Sequence, residues 1–258
     1  MNNRLPFWRV VGASVAGTSH IQHDIPCQDN YAVRVLDSHV LIAAVADGLG
    51  SASRSDEGAR IASCKAVESL ETTISGQTLN LDEEWLREMK QSFGKARESL
   101  LLYANEQMVT AREFATTLTC IVLTEDQIVV GHLGDGFVVA EDRQGLLHTI
   151  ARPQRGEYAN EVCPLTADNA LEFLDIQLCR FQIKSILLST DGMLRLALKL
   201  PDATPYEPFF RPLIDFVAKV ETEEMGSQNL GQFLTSDRVC ERTDDDKTLV
   251  IVTRLDLQ

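Results

Sequence analysis

The chain has 258 residues, 44% of them hydrophobic and 24% charged, with a formal net charge of −14. That length can bury a sizeable core, as one large domain or two small ones, while so acidic a surface argues against general binding to nucleic acid or to an anionic membrane. No run reaches the roughly 18–20 apolar residues that a membrane span requires, and the first residues lack the apolar stretch of a signal peptide, so a cytoplasmic monomer is expected.

In chain order, Trp8–Val15 reads as a strand and Gly17–Asp29 as a polar loop. Tyr31–Leu36 and His39–Ala46 form a hairpin about a turn at Asp37-Ser38, which predicts an antiparallel sheet. Ser55 to Ile74 is an amphipathic helix with Ala59, Ala62, Ala66 and Leu70 on one face. A second helix follows over 82–108, capped by Asp82, with Leu86, Met89, Phe93, Ala96, Leu100 and Tyr103 as its apolar stripe. Strands are predicted at Thr117–Leu123, Gln127–Leu133, Phe137–Ala140 and Leu146–Ile150. Residues 152–170 form a long loop, of the kind that often carries function. Glu172–Ile183 and Ser185–Ser189 are strand-like, Met193–Leu200 a short helix, Tyr206–Glu224 and Leu230–Val239 helical, and Thr248–Arg254 the last strand. Strands, two long helices, more strands and a helical segment over 201–240 fit a layered α+β fold in one domain spanning 1–258. The 201–240 segment suits either core packing or a partner-docking surface. Six scattered cysteines (Cys27, Cys64, Cys120, Cys163, Cys179 and Cys240) contain no CxxC pair, which disfavours a disulfide framework or a zinc site.

Aspartates close or open the apolar runs. Val40–Ala46 leads into Asp47-Gly48, Ile128–Leu133 into Gly134-Asp135-Gly136, and Ser185–Thr190 into Asp191-Gly192, while Asp245-Asp246 opens the last strand. Each alone equally suits a turn. Together they place carboxylates at strand ends, where distant segments converge, and converging carboxylates repel unless hard cations neutralise them. An oxygen-only donor set is the chemistry of Mg2+ or Mn2+. Two such ions about 3.5–4 Å apart hold a bridging hydroxide and orient a phosphoryl group for in-line attack. HExxH, Walker A, GxGxxG and GxSxG patterns are all missing from the sequence. His132 lies within a strand and reads as structural.

Seven ordered elements resemble the type 2C metal-dependent protein phosphatases, most closely the bacterial subgroup. They are Cys27-Gln28-Asp29, Val45–Gly50, Glu57–Ser63, Ala115–Leu118, Gly134–Gly136, Leu188–Gly192 and Asp245–Thr248. The resemblance implies a four-layer α-β-β-α sandwich of two antiparallel sheets flanked by helices, with a dinuclear Mg2+/Mn2+ centre between the sheets. It assigns Asp47 as the bridging ligand, the Gly48 carbonyl to one ion, and Asp191 and Asp245 to the other. Asp29 would act through a bound water or neighbouring hydrogen bonds, and Asp135 with Asp191 would hold a weaker third ion. Gln28 stands where the family carries an acidic residue, Leu49 where many eukaryotic members carry histidine, and Asp24 where a phosphate-gripping arginine is usual. His20 and His23 are the nearby candidates for that phosphate contact. The segment Arg152–Asp168, containing Arg155–Glu161 (RGEYANE), falls where the family has its flap. The implied activity is hydrolysis of phosphoserine and phosphothreonine in proteins. A phosphatase of small metabolites, a regulatory phosphatase acting on an anti-sigma-type antagonist and a non-catalytic, partner-binding pseudophosphatase stand as alternatives.

Overall fold

Runs such as Val40–Asp47 are apolar at successive positions because their strands are covered on both faces. The computed structural model describes residues 8–36, 39–76, 79–154 and 162–255. Its strands are β1 (Trp8–Val15), β2 (Asp29–Leu36), β3 (Val40–Asp47), β4 (Leu118–Leu123), β5 (Ile128–Leu133), β6 (Phe137–Asp142), β7 (Leu147–Ala151), β8 (Asp175–Cys179), β9 (Ile183–Ser189), β10 (Leu198–Lys199), β11 (Thr204–Pro205) and β12 (Lys247–Arg254). The helices are α1 (Thr18–Gln22), α2 (Ser55–Gly76), α3 (Asp82–Glu106), α4 (Leu194–Ala197), α5 (Glu207–Lys219), α6 (Glu223–Leu234) and α7 (Asp237–Cys240). Two five-stranded sheets result, ordered β1-β12-β9-β6-β7 and β2-β3-β4-β5-β8, with every pairing antiparallel.

Three apolar clusters fill the spaces between four layers. Trp8, Leu41, Ala43, Val45, Ile121, Val250 and Val252 pack between the sheets. Ile42, Ala44 and Ala46 face the other way, against Ala62, Met89 and Phe93 of α2 and α3. Leu249 and Ile251 pack outward beneath Phe210, Ile214 and Leu230 of α5 and α6. The order is therefore helices, sheet, sheet, helices, as the family resemblance implies. Strand alternation then sets direction: Asp47 shares the parity of Leu41, Ala43 and Val45 and so lies on the inter-sheet face.

Several element boundaries differ from the expectations. The loop before Asp29 contains the short helix α1. Asp82 does not cap α3; Glu84 does so, accepting from the backbone N–H groups of Asn80 (2.8 Å) and Leu81 (3.1 Å), and Asp82 pairs instead with Arg180. α3 stops at Glu106, and Met108 takes φ 59°. The strand expected over Glu172–Ile183 is only β8, since a short 3-10 turn occupies Ala170–Glu172. The helix expected from Met193 is cut to α4 by β10. The break between the last long helices falls at 220–222, where the Thr222 side chain caps α6 by accepting from Met225 N–H. Gly226, which looks like a breaker in sequence, lies inside α6, where a β-carbon would approach Val11 Cγ2 to 2.6 Å. The expected turn at Asp37-Ser38 and residues 155–161 of the expected flap segment Arg152–Asp168 lie outside the described residues. Among the described residues no helix is long and apolar enough to cross a membrane.

Candidate metal centre

The inner half of the site is a consequence of register. Asp29 and Asp47 are direct partners in the β2–β3 ladder, so their side chains emerge side by side on one face. Thr116 and Thr117 clamp the Asp47 backbone. Asp47 N–H donates to Thr117 Oγ1 (3.0 Å), and its carbonyl accepts from Thr117 N–H (2.8 Å) and Thr116 Oγ1 (2.9 Å). The Thr-Thr-Leu sequence thus fixes the Asp47 end of β3 from the start of its β4 neighbour.

The opposing half comes from the ends of β9 and β12. Thr190 Oγ1 donates to Asp29 Oδ2 at 2.7 Å and accepts from Thr248 N–H at 3.1 Å, tying both sheets together beneath the carboxylates. Asp191-Gly192 follows. A β-carbon on Gly192 would sit 1.9 Å from the Asp246 carbonyl oxygen, so the glycine is required for the 245–246 turn to approach. Asp135 comes from the crossover between β5 and β6, which carries the chain from one sheet to the other. Gly134 there has φ +133°, and an added β-carbon would meet Thr117 Cβ at 2.6 Å.

Carboxylate oxygens of Asp47, Asp135 and Asp191 lie within 4.8 Å of one another. They line a pocket of about 230 Å³ together with His20, Gln28, Gly48, Thr117, Asp245 and Asp246. Their electrostatics are those of crowded acids. Burial, then the charges of Asp29, Asp191 and Asp135, push the Asp47 carboxyl well above the usual range. Burial also raises Asp29, against the lowering effect of the Thr190 hydrogen bond. Burial and Asp245 raise Asp191, partly offset by its hydrogen bond with Asp47 and by the Arg195 charge. Asp135 is pushed up to about 7 by burial and by Asp191. An all-oxygen set of mutually repelling carboxylates fits hard divalent cations. Gln28 Oε1, buried without a hydrogen-bond partner among the described residues, lines the same pocket.

The sequence-selected residues fall into three groups. Asp47, Asp135 and Asp191 converge, with Gly48 in the pocket wall. Asp245 lines the pocket but is exposed and outside that close triad, while Asp29 sits behind Asp47 and bonds to Thr190. His20 reaches the pocket from α1, whereas the exposed His23 bonds through Nδ1 to the Ser19 carbonyl. Sequence reasoning missed Asp246. Its Oδ1 accepts from Gly17 N–H (2.7 Å) and meets His20 Nδ1 (2.9 Å), and its Oδ2 accepts from Gln28 N–H (2.5 Å). Nothing in the run Asp244-Asp245-Asp246 distinguishes the one buried acid from its exposed neighbours.

The two-sheet sandwich is a fold shared with solved phosphatases. A bacterial serine phosphatase superimposes with a TM-score of 0.66 at 14% identity, over 96% of this chain and 98% of that one. The serine/threonine phosphatase Stp1 from Staphylococcus aureus gives 0.63 at 15%, over 97% and 95%. The sequence profile of protein phosphatase 2C matches residues 16–235. Serine/threonine-protein phosphatase 3 of Escherichia coli K12 is 35% identical over 250 residues, which is 95% of this chain and 97% of that protein. The chain belongs to the protein phosphatase 2C family, a family of metal-dependent protein phosphatases.

Proposed function

We propose that this chain releases phosphate from phosphoserine and phosphothreonine in proteins, using two Mn2+ or Mg2+ ions, with a third near Asp135. The observation that carries the reading is the convergence of Asp47, Asp135 and Asp191 oxygens within 4.8 Å, in a chain of this family. Asp47, the Gly48 carbonyl, Asp191 and Asp245 would hold the principal pair, and Asp135 with Asp191 the third ion. Bound there, the ions would supply an activated water and positive charge against the phosphoryl oxygens.

The protein's own groups do the positioning. Thr116 and Thr117 fix Asp47 through its backbone, and Thr190 keeps Asp29 in place behind it. Asp246 occupies His20 Nδ1 and leaves Nε2 as the nitrogen that can meet the substrate phosphoryl group. His20 is the only basic side chain among the described residues lining the pocket, and it stands in for the arginine missing at position 24. His23, turned to the Ser19 carbonyl, is the weaker candidate for that contact.

The test is phosphate release from phosphoserine and phosphothreonine peptides in Mn2+ against excess chelator, with sugar phosphates as competing substrates. Asp47→Asn and Asp191→Asn are each expected to lower kcat/KM about a hundredfold or more while leaving the protein folded. Full activity in either variant sinks the metal assignment, and faster turnover of sugar phosphates than of peptides sinks the protein substrate. His20→Ala is expected to raise KM for phosphopeptides about tenfold with a smaller change in kcat, as loss of one phosphate contact would. An unchanged KM removes His20 from the substrate site.

A further inference from the structure

Asp191 begins a short 3-10 turn that runs directly into α4, and α4 forms one wall of a second cavity on the far side of the β1-β12-β9-β6-β7 sheet. This cavity has a volume of about 580 Å³ and lies among α4, β10, α5 and the segment from the end of α6 through α7. Its apolar wall is made by Leu198, Phe209, Leu213 and Phe233. Four cations line it as well: Arg195, Lys199, Arg238 and Arg242, against one anion, Glu241. In a chain of net charge −14 with only 24 lysines and arginines, that is a local reversal of sign. Among the described residues none of the four forms a salt bridge, and Lys199 Nζ lies over the Tyr206 ring, 5.5 Å from its centroid. The four cations are exposed, whereas Leu198, Phe209 and Leu213 are buried.

We propose that this cavity binds a small amphipathic anion, with an apolar body against Phe209 and Leu213 and an anionic head among Arg195, Arg238 and Arg242. The volume falls within the roughly 300–1,000 Å³ of small-molecule sites, which are mostly apolar with a few placed polar groups. Four cations that form no salt bridge among the described residues, set around an apolar wall, are complementary to one negative charge on a hydrophobic stem.

The test uses the full chain in excess chelator, so it is independent of the phosphatase reading. Decanesulfonate and decanol are titrated calorimetrically into wild type, Arg238→Glu/Arg242→Glu and Arg238→Lys/Arg242→Lys. The expected result is one site for decanesulfonate, no comparable site for decanol, a loss of affinity of about tenfold or more on charge reversal, and retention in the lysine variant. Equal binding by the reversed variant, or equal affinity for decanol, overturns the proposal. So does self-association of wild type that charge reversal abolishes without any sulfonate site, which would give the face to a second copy of this chain.

Discussion

Asp246 holds the pocket's edge by accepting hydrogen bonds on both carboxylate oxygens, from two backbone N–H groups and the His20 ring. Asp246→Asn would replace one acceptor oxygen with an NH2 group and force it against a donor. The expected cost is about 1–3 kcal/mol of stability, the usual penalty for an unmet buried group. KM should rise as it does for His20→Ala, because the ring loses its anchor. Urea denaturation and peptide kinetics check this together; lost stability with an unchanged KM would show that Asp246 only braces the loop. His132 makes a different prediction. It is buried in β5 with Nδ1 on Thr119 Oγ1 at 2.8 Å, and burial pushes it down to about 4. The unfolded chain binds this proton near pH 6.5, so between about pH 4 and 6.5 unfolding takes up a proton and stability falls with falling pH. The whole loss is on the order of 3 kcal/mol, reached as pH drops through the folded value. His132→Asn should remove that slope: the stability difference between variant and wild type, measured from pH 7 down to 4, should move in the variant's favour. A constant difference sinks the assignment.

At the scale of elements, α5 is pinned to its sheet by one buried acid. Glu141 in β6 accepts from Arg211 Nη1 at 2.6 Å and from Ser185 Oγ at 3.1 Å, with Lys184 Nζ at 3.4 Å, and Arg211 also reaches the Gly145 carbonyl. Arg211→Ala removes the shortest of these contacts while Glu141 stays buried. A loss of about 2 kcal/mol is expected, as for a hydrogen bond to a charged group, with phosphatase activity per folded molecule unchanged. Thermal unfolding with kinetics below the transition tests it; a loss of activity without a loss of stability would mean that α5 does more than cover the sheet. Sequence legibility divides at this same scale. β3, β5 and β9 are readable because an apolar run ending in aspartate carries both the strand and the residue it delivers. The pairing of Asp29 with Asp47 is not, because a turn of only Asp37-Ser38 would set Leu36 opposite His39 and Asp29 opposite Ala46, one residue out of the observed register. The α5–α6 break is not readable, because Gly226 looks like punctuation but fills a close contact with Val11, while the true cap is Thr222. Nor is the division of labour between Asp245 and Asp246, which depends on where residues 17–28 pack, far away in sequence.

For the whole molecule, two sheets bring their carboxylates to one end of the sandwich, so the proposed cation binding would be coupled to folding. Asp29, Asp47, Asp135 and Asp191 all hold protons more tightly in the metal-free fold than in the unfolded chain, and Asp135 does so up to about pH 7. Raised carboxylates make the folded state the better proton binder above their ordinary range near 4, so metal-free stability falls as pH rises from about 4 towards 7. His132 contributes an opposite slope below about 6.5, but it is one group against four. Divalent cations held there as proposed would replace those protons and bind only the folded site, so they should reverse the loss, and their affinity should itself rise with pH. In excess chelator the melting temperature should therefore drop between pH 5.5 and 7.5. Millimolar Mn2+ should raise it at pH 7.5, by about 4 °C or more if the site is filled a hundredfold above its dissociation constant, and should raise it little at pH 5.5. Asp47→Asn/Asp191→Asn should flatten the chelator slope and abolish the Mn2+ shift together, because the same carboxylates cause both. A Mn2+ shift that survives in this double variant would place the cations elsewhere on the acidic surface and separate the carboxylate cluster from the metal centre.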